Sequence, residues 1–176
     1  MAEKRTFTVT AEHVEGGRYI GAENLADFHG HLEIEASLGV VFFVSLKIGG
    51  RIVAKAGSGI EAGEGIKAGE GIEAGEGIKA GEGIKAGSGI EAGWGIEAGE
   101  GIEAGEGIKA GLSISCKAAL SAAFRIFAGI AIWKRTVADS ERTVTCLRLE
   151  RGELAFGLLV ETQTATTPET TSVVKA

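Results

Sequence analysis

The chain has 176 residues, of which 24% are charged and 44% hydrophobic, with 29 glycines, one proline and two cysteines. Its formal net charge of −6 argues against direct binding to nucleic acid, which needs a basic footprint. Collagen's Gly-X-Y spacing and a secreted disulfide framework are both absent, and the longest apolar stretch, 118–133, is interrupted by Arg125 and is too short to span a bilayer.

The first residues, Met1 to Thr6, lead into alternating residues and not into an apolar signal segment. A cytoplasmic, reducing location is therefore expected. Residues 1–41 read as an N-terminal cap. From Phe28 the even positions Phe28, Gly30, Leu32, Ile34, Ala36, Leu38, Val40 and Phe42 form an inward row, so this segment is a strand with one wet face. Its odd positions carry Asp27, His29, His31 and Glu33. Residues 41–44, Val-Phe-Phe-Val, are apolar on both faces, which places the N-terminal segment over them.

From 54 to 111 one six-residue phrase, Gly-x-Gly-Ile-(Glu/Lys)-Ala, repeats with almost no drift. Isoleucine recurs from Ile60 to Ile108, and alanine follows it two places on. A six-residue period fits neither a single helix nor a flat strand; it fits a solenoid with one short strand per phrase. Ile and Ala, two apart, point inward and the Glu or Lys between them points out. The two glycines make a corner that needs positive φ or close backbone approach. Counting in sixes extends the isoleucine column upstream to Ala54, Ile48 and Phe42 and downstream to Ile114, Leu120, Ile126 and Ile132. The alanine column extends likewise to Val44, Ala56, Cys116, Ala122 and Ala128, so the solenoid is expected over 42–133.

Three phrases per coil would stack residues 18 apart. The outward neighbours are then Lys55–Glu73, Glu91–Lys109, Glu61–Lys79, Lys79–Glu97 and Lys85–Glu103, with only Glu73–Glu91 and Lys67–Lys85 repelling. Two phrases per coil gives as many repulsive pairs as attractive ones. At about 4.8 Å per coil, five coils make a rod on the order of 25 Å long.

The fifth position of the phrase is apolar at the ends (Leu46, Ile52, Leu112, Ala118, Phe124, Ile130). In the middle it holds Glu64, Glu70, Glu76, Glu82, Trp94, Glu100 and Glu106, with Ser58 and Ser88. Buried glutamates without partners are untenable, so the central corners face water and the end coils are expected to be fatter. Phe127 and Trp133 fall on outward positions and require cover. Residues 134–161 supply it as a C-terminal capping hairpin turning at Glu150-Arg151-Gly152-Glu153, and the threonine-rich tail, 162–176, is expected to be disordered. The fold class is thus all-β: a single-chain parallel β-helix, or β-solenoid, of about three phrases per coil with capping strands at both ends.

The phrase resembles the parallel β-helix proteins built on hexapeptide repeats. It departs from their left-handed acyltransferase branch, which places a small residue two before the aliphatic one. Here Glu64 or Glu70 holds that position. The catalytic histidine of that branch has no counterpart, since His13, His29 and His31 all precede the repeat.

Residues 54–111 carry 11 acidic and 5 basic side chains, a net −6 equal to that of the whole chain. The acidic fifth-position residues Glu64, Glu70, Glu76, Glu82, Glu100 and Glu106, with Trp94 among them, are the candidate binding residues, against the plainer reading that they confer solubility. Trp94 has no folding reason visible in the sequence, and aromatic anchors are enriched at binding hot spots. Gly63, Gly65 and Gly69 are spaced two then four apart, which does not match a dinucleotide-binding fingerprint. His29 and His31 are a weak candidate metal pair against the plainer reading of a solvated polar face, and no metal or cofactor is expected. Cys116 reads as a buried small residue and Cys146 has no identifiable base partner, so no enzyme is expected. The functional expectation is a non-enzymatic acidic protein that blocks a basic groove on a nucleic-acid-handling protein, as a phage or mobile-element inhibitor of the anti-CRISPR or DNA-mimic kind. The alternative is a structural module, either a trimeric phage fibre or a filament subunit.

Overall fold

The computed structural model describes residues 4–162. The chain is an all-β parallel solenoid of about seven turns, longer than the five coils counted from the repeat. The extra turns come from the flanks. Each central turn has three strands on three faces, here called A, B and C. Ile72–Ala74 lies on face A, Ile78–Ala80 on C and Ile84–Ala86 on B. Ile90–Ala92 then returns to face A and pairs in parallel with Ile72–Ala74, 18 residues behind it. No helix of the described residues is long and apolar enough to cross a membrane.

The central register is the one that the charge pattern selected. Glu91 lies beside Lys109, Lys79 beside Glu61 and Glu97, and Lys85 beside Glu103. The two repulsive pairs, Glu73–Glu91 and Lys67–Lys85, are neighbours as well. Isoleucines 66 to 108 are 1% exposed or less and form continuous columns beside the alanines.

The repeat glycines serve close approach, not unusual dihedrals. No glycine from Gly59 to Gly111 has positive φ. A Cβ on Gly81 would lie 2.0 Å from the Gly63 carbonyl oxygen, and one on Gly99 1.9 Å from that of Gly81. The second glycine of the corner is less constrained: a Cβ on Gly71 would lie 3.3 Å from the Gly89 oxygen. Hydrogen bonds run along the rod even at these corners, as in Glu82 N–H to Glu64 O and Glu100 N–H to Glu82 O.

Counting in sixes fails outside the strict repeat. Upstream, Leu46 and Ile52 continue the isoleucine columns, while Ile48 and Ala54 sit in the alanine columns beside Ala68 and Ala74. Phe42 faces outward beside Glu61, with Val41 and Phe43 taking the inward places. Val44 and Ala56 are exposed. The early coils are 19 or 20 residues long, as Val41↔Ile60 and Leu46↔Ile66 show, because their corners hold extra residues. Lys55 accordingly pairs with Glu33 at 3.2 Å and not with Glu73. The inward row that starts at Phe28 also ends early. At Ser37 and Gly39 the backbone takes positive φ, after which Val40 is exposed and Val41 buried.

Downstream the columns hold through Ala128 and then stop. Gly129 turns out of the coil with φ +84°, Ile132 is 99% exposed, and the isoleucine column resumes only at Val144. The end corners are not folded inward: Phe124 is 66% exposed, so the core does not fatten there.

Thr143–Val160 is not a hairpin. Thr143–Cys146, Arg148–Phe156 and Leu158–Glu161 all run parallel to the strands beneath them and make one more coil. Gly152, at φ +107°, bends Arg148–Phe156 from face B to face A instead of reversing it. These strands cover the repeat's last coil, and Phe127 pairs with Phe156. At the other end the antiparallel pair Val14–Glu15 and Arg18–Tyr19 turns through Gly16 and Gly17, both at positive φ. It joins buried Val9 and Leu25 and the ring contacts among Phe7, His13, Tyr19, Phe28 and Phe43 in closing the first coils. The tail beyond Thr162 lies outside the described residues.

Candidate functional site

Three phrases per turn distribute the fifth-position residues over three edges of the rod. Backbone hydrogen bonds link Val44, Glu64, Glu82 and Glu100 in one column, between faces C and B. A second column, between B and A, holds Gly50, Glu70, Ser88, Glu106 and Phe124. The third, between A and C, holds Ser58, Glu76, Trp94 and Leu112. The structure therefore brings together Glu64, Glu82 and Glu100, and separately Glu70 and Glu106, but it makes no single acidic row with Trp94 inside it.

These carboxylates differ in what they meet. Glu70 accepts a hydrogen bond from Lys4 Nζ at 2.8 Å, and this bond, with the nearby Lys4, His31 and Arg51 charges, holds its carboxyl below the usual range despite some desolvation. Glu64, Glu76, Glu82, Glu100 and Glu106 have no ion pair among the described residues. Three like charges about 4.8 Å apart on one edge raise the local negative potential and lower the stability of the edge.

Between the two glutamate edges, face B carries the opposite sign. Lys47, Lys67 and Lys85 stack in register, followed by Glu103. Lys47 is neutralised by Asp27 at 2.7 Å and Lys85 by Glu103 at 2.7 Å. A shallow groove of about 760 Å³ follows this lysine column along the rod. Charge on this molecule is thus striped, with acidic edges beside a basic face.

Trp94 has a partner that the sequence did not reveal. The segment 129–143 leaves the rod directly above the Trp94 edge, where Gly129 N–H donates to Leu112 O at 3.0 Å. It folds back so that the Trp133 ring stacks on Trp94, with centroids 5.4 Å apart and planes at 27°. Each tryptophan remains about half exposed, at 51% and 53%. Lys134 Nζ lies 5.9 Å from the Trp133 centroid and is also paired with Glu141. Trp133, expected beneath a hairpin, is instead held by Trp94. The sequence signal that was available is the tryptophan pair itself, since the chain holds only two. Beside Trp94, on face C, a groove of about 340 Å³ runs past Glu76, Ile78, Glu97 and Val40.

The residues near His29 and His31 are engaged elsewhere. His31 Nδ1 accepts from Arg51 N–H at 3.0 Å, Asp27 binds Lys47, and Glu33 lies 3.2 Å from Lys55 and 3.8 Å from Arg51. Among the described residues no group of three or more His, Cys, Asp or Glu converges as a metal site would require. Cys116 stands in the alanine column beside Ala98. Its thiol is pushed up to about 11 by burial, with Cys146 in the next coil adding to the shift. Both cysteines are buried and free. Comparison with family models, with curated proteins and with solved structures finds no match to the chain.

Proposed function

We propose that this chain is a non-enzymatic binding protein of the cytoplasm. In this reading it is a hexapeptide-repeat solenoid outside the acyltransferase branch, and its rigid acidic rod occupies a basic groove on a nucleic-acid-handling protein. Inhibitors made by phages and mobile elements, of the anti-CRISPR or DNA-mimic kind, work in this way. The observation that carries the reading is the stacked Trp94–Trp133 pair, half exposed on a rigid edge next to Glu76. Two stacked indoles present a large apolar area at little cost in side-chain entropy, as binding anchors do.

Charge density supports the target class. A net −6 over residues 54–111, spread over about three turns or roughly 15 Å of axis, is one net charge per about 2.5 Å. Duplex DNA carries one per about 1.7 Å. The unpaired glutamates of the C–B edge would meet basic side chains of the groove, and Trp94 with Trp133 would fill an apolar pocket at its side.

The test is affinity capture from a bacterial lysate with the parent chain and with Trp94→Ala/Trp133→Ala, each challenged with duplex DNA as competitor. The reading requires a nucleic-acid-binding protein that the parent retains, DNA displaces and the double variant loses. Failure of the parent to retain any such protein sinks it. The structural alternative draws support from a different observation, the outer edge of the last coil, which no strand pairs with among the described residues.

A further inference from the structure

The two ends of the rod are finished differently. At the N-terminal end the antiparallel pair Val14–Glu15 and Arg18–Tyr19 and the aromatic cluster pack on the first coils, and Thr6–Val9 pairs with His31–Ile34 on one side. At the other end, Arg148–Phe156 pairs with Ala119–Ala128 and Leu158–Glu161 pairs with Thr143–Cys146, each on one side only. Among the described residues no strand pairs with their outer edges. Leu149 N–H on that edge donates to the Glu161 carboxylate at 2.7 Å, a bond that a second strand pairing at Leu149 has to displace. Phe156, Leu158, Leu159 and Val160 are 43%, 39%, 40% and 46% exposed there. An unpaired strand edge with apolar neighbours is a template for another strand unless charge repels it.

The charges on this edge do not repel a second copy. We propose that the outer edge of the last coil joins two copies of this chain tail to tail about a two-fold axis. Such a contact sets residue i against j and j against i. The edge reads Arg148-Leu149-Glu150-Arg151-Gly152-Glu153, an order that inverts its own sign when reversed. With antiparallel strands about an axis between Glu150 and Arg151, Arg148 faces Glu153 and Glu150 faces Arg151, each twice. Within these six residues no like charges meet, and Arg148 and Glu153 exchange their own-chain partners, Glu150 and Arg125, for those of the other copy. A slip of one residue either way puts Arg151 on Arg151 or Glu150 on Glu150, so the charges also set the register. In a three-sided coil the axis that bisects face B passes through the opposite corner, at Gly157. There the exposed Phe156, Leu158, Leu159 and Val160 of the two copies come together. A two-fold contact of this kind uses the same edge on both copies, so it closes at two.

The test is the mass of the full chain in solution by sedimentation equilibrium, for the parent and two charge-inverted variants. These are Arg148→Glu/Arg151→Glu and Glu150→Arg/Glu153→Arg, all at exposed positions where substitution shifts folding stability little. The parent should have twice the 18.0 kDa chain mass. Each variant alone should dissociate, with the dimer weakened on the order of a hundredfold or more. An equimolar mixture of the two variants should recover the doubled mass. A monomeric parent at millimolar concentration overturns the proposal and leaves the edge to residues 163–176 or to another protein. Variants that remain dimeric, or a mixture that stays monomeric, overturn the antiparallel charge register. None of these outcomes depends on the tryptophan edge.

Discussion

The two glycine positions of the phrase should respond very unequally to the same substitution. A Cβ on Gly99 would stand 1.9 Å from Gly81 O and 2.8 Å from Gly81 C. Restoring a carbon–oxygen contact of about 3.3–3.6 Å requires the two corners to separate by about 1.4–1.7 Å. At that separation two ladder bonds no longer form: Gly99 N–H to Ala80 O, now 3.0 Å, and Glu100 N–H to Glu82 O, now 3.2 Å. At about 1 kcal/mol net for each bond, plus loosened packing of the adjoining Ile and Ala, Gly99→Ala should cost about 2–4 kcal/mol. For a domain of this size that is about 5–15 °C in Tm. Gly71→Ala meets only Gly89 O at 3.3 Å, which a shift of a few tenths of an ångström relieves. Its unfolded chain also loses about 0.4–1 kcal/mol of conformational freedom, so the net change should stay within about 1 kcal/mol of zero. Neither glycine has positive φ, so the contrast isolates the clash from backbone strain. Circular dichroism during urea and thermal unfolding measures both variants. If Gly99→Ala is as stable as Gly71→Ala, the close-approach account of the corners is wrong.

Further outcomes follow from other parts of the rod. Ser58 is fully buried; its hydroxyl donates to Glu35 O and accepts from Leu38 N–H. Ser58→Ala should therefore cost about 1–3 kcal/mol, read from the urea midpoint. Lys67 has no ion pair among the described residues and stacks between Lys47 and Lys85. Lys67→Glu should stabilise by about 0.2–1 kcal/mol, a gain that shrinks in high salt and is checked by comparing urea midpoints at two ionic strengths. The Cys116 thiol, held up to about 11 against an ordinary 9.0, should resist iodoacetamide at pH 8 in the folded chain. Between those two values the unfolded chain gives up a proton that the folded chain keeps, so stability should fall as pH rises from about 9 to 11. A native-state titration of urea midpoints across that range checks the sign.

The columns from Ile60 to Ala128 were legible because a period is visible only where nothing is inserted. The corner 55–59 holds two residues more than a Gly-x-Gly corner and the corner 44–45 one fewer, so the inward positions Val41, Leu46, Ile52 and Ile60 are spaced five, six and eight apart; a count in sixes then lands two places off at Ile48 and one place off at Phe42. That is why Ile48 was placed in the wrong column and Phe42 on the wrong face. The same blindness affected the far end, where Gly129 starts a segment that carries Ile132 out of the core. Glu150-Arg151-Gly152-Glu153 has the composition of a reversing turn. Parallel pairing is a tertiary matter, and there Gly152 bends the strand around a corner. At the candidate site, the identity of Trp94 as an anomaly was readable, but its stacking on Trp133, 39 positions away, was not. No periodicity connects a residue of the repeat to one in a segment that has left it.

The ladder of hydrogen bonds runs parallel to the long axis, and the first and last coils lie at opposite ends of it. Tension applied between those ends loads successive turns in series, so only the bonds of the turn then yielding resist the pull. The rod is stiff against bending but opens turn by turn under stretch, like a spring with breakable coils. Each 18-residue turn that opens replaces about 5 Å of rod with roughly 60 Å of extended chain. A partner gripping the side of the rod spans many bonded turns at once, whereas one that pulls on its end faces a single turn.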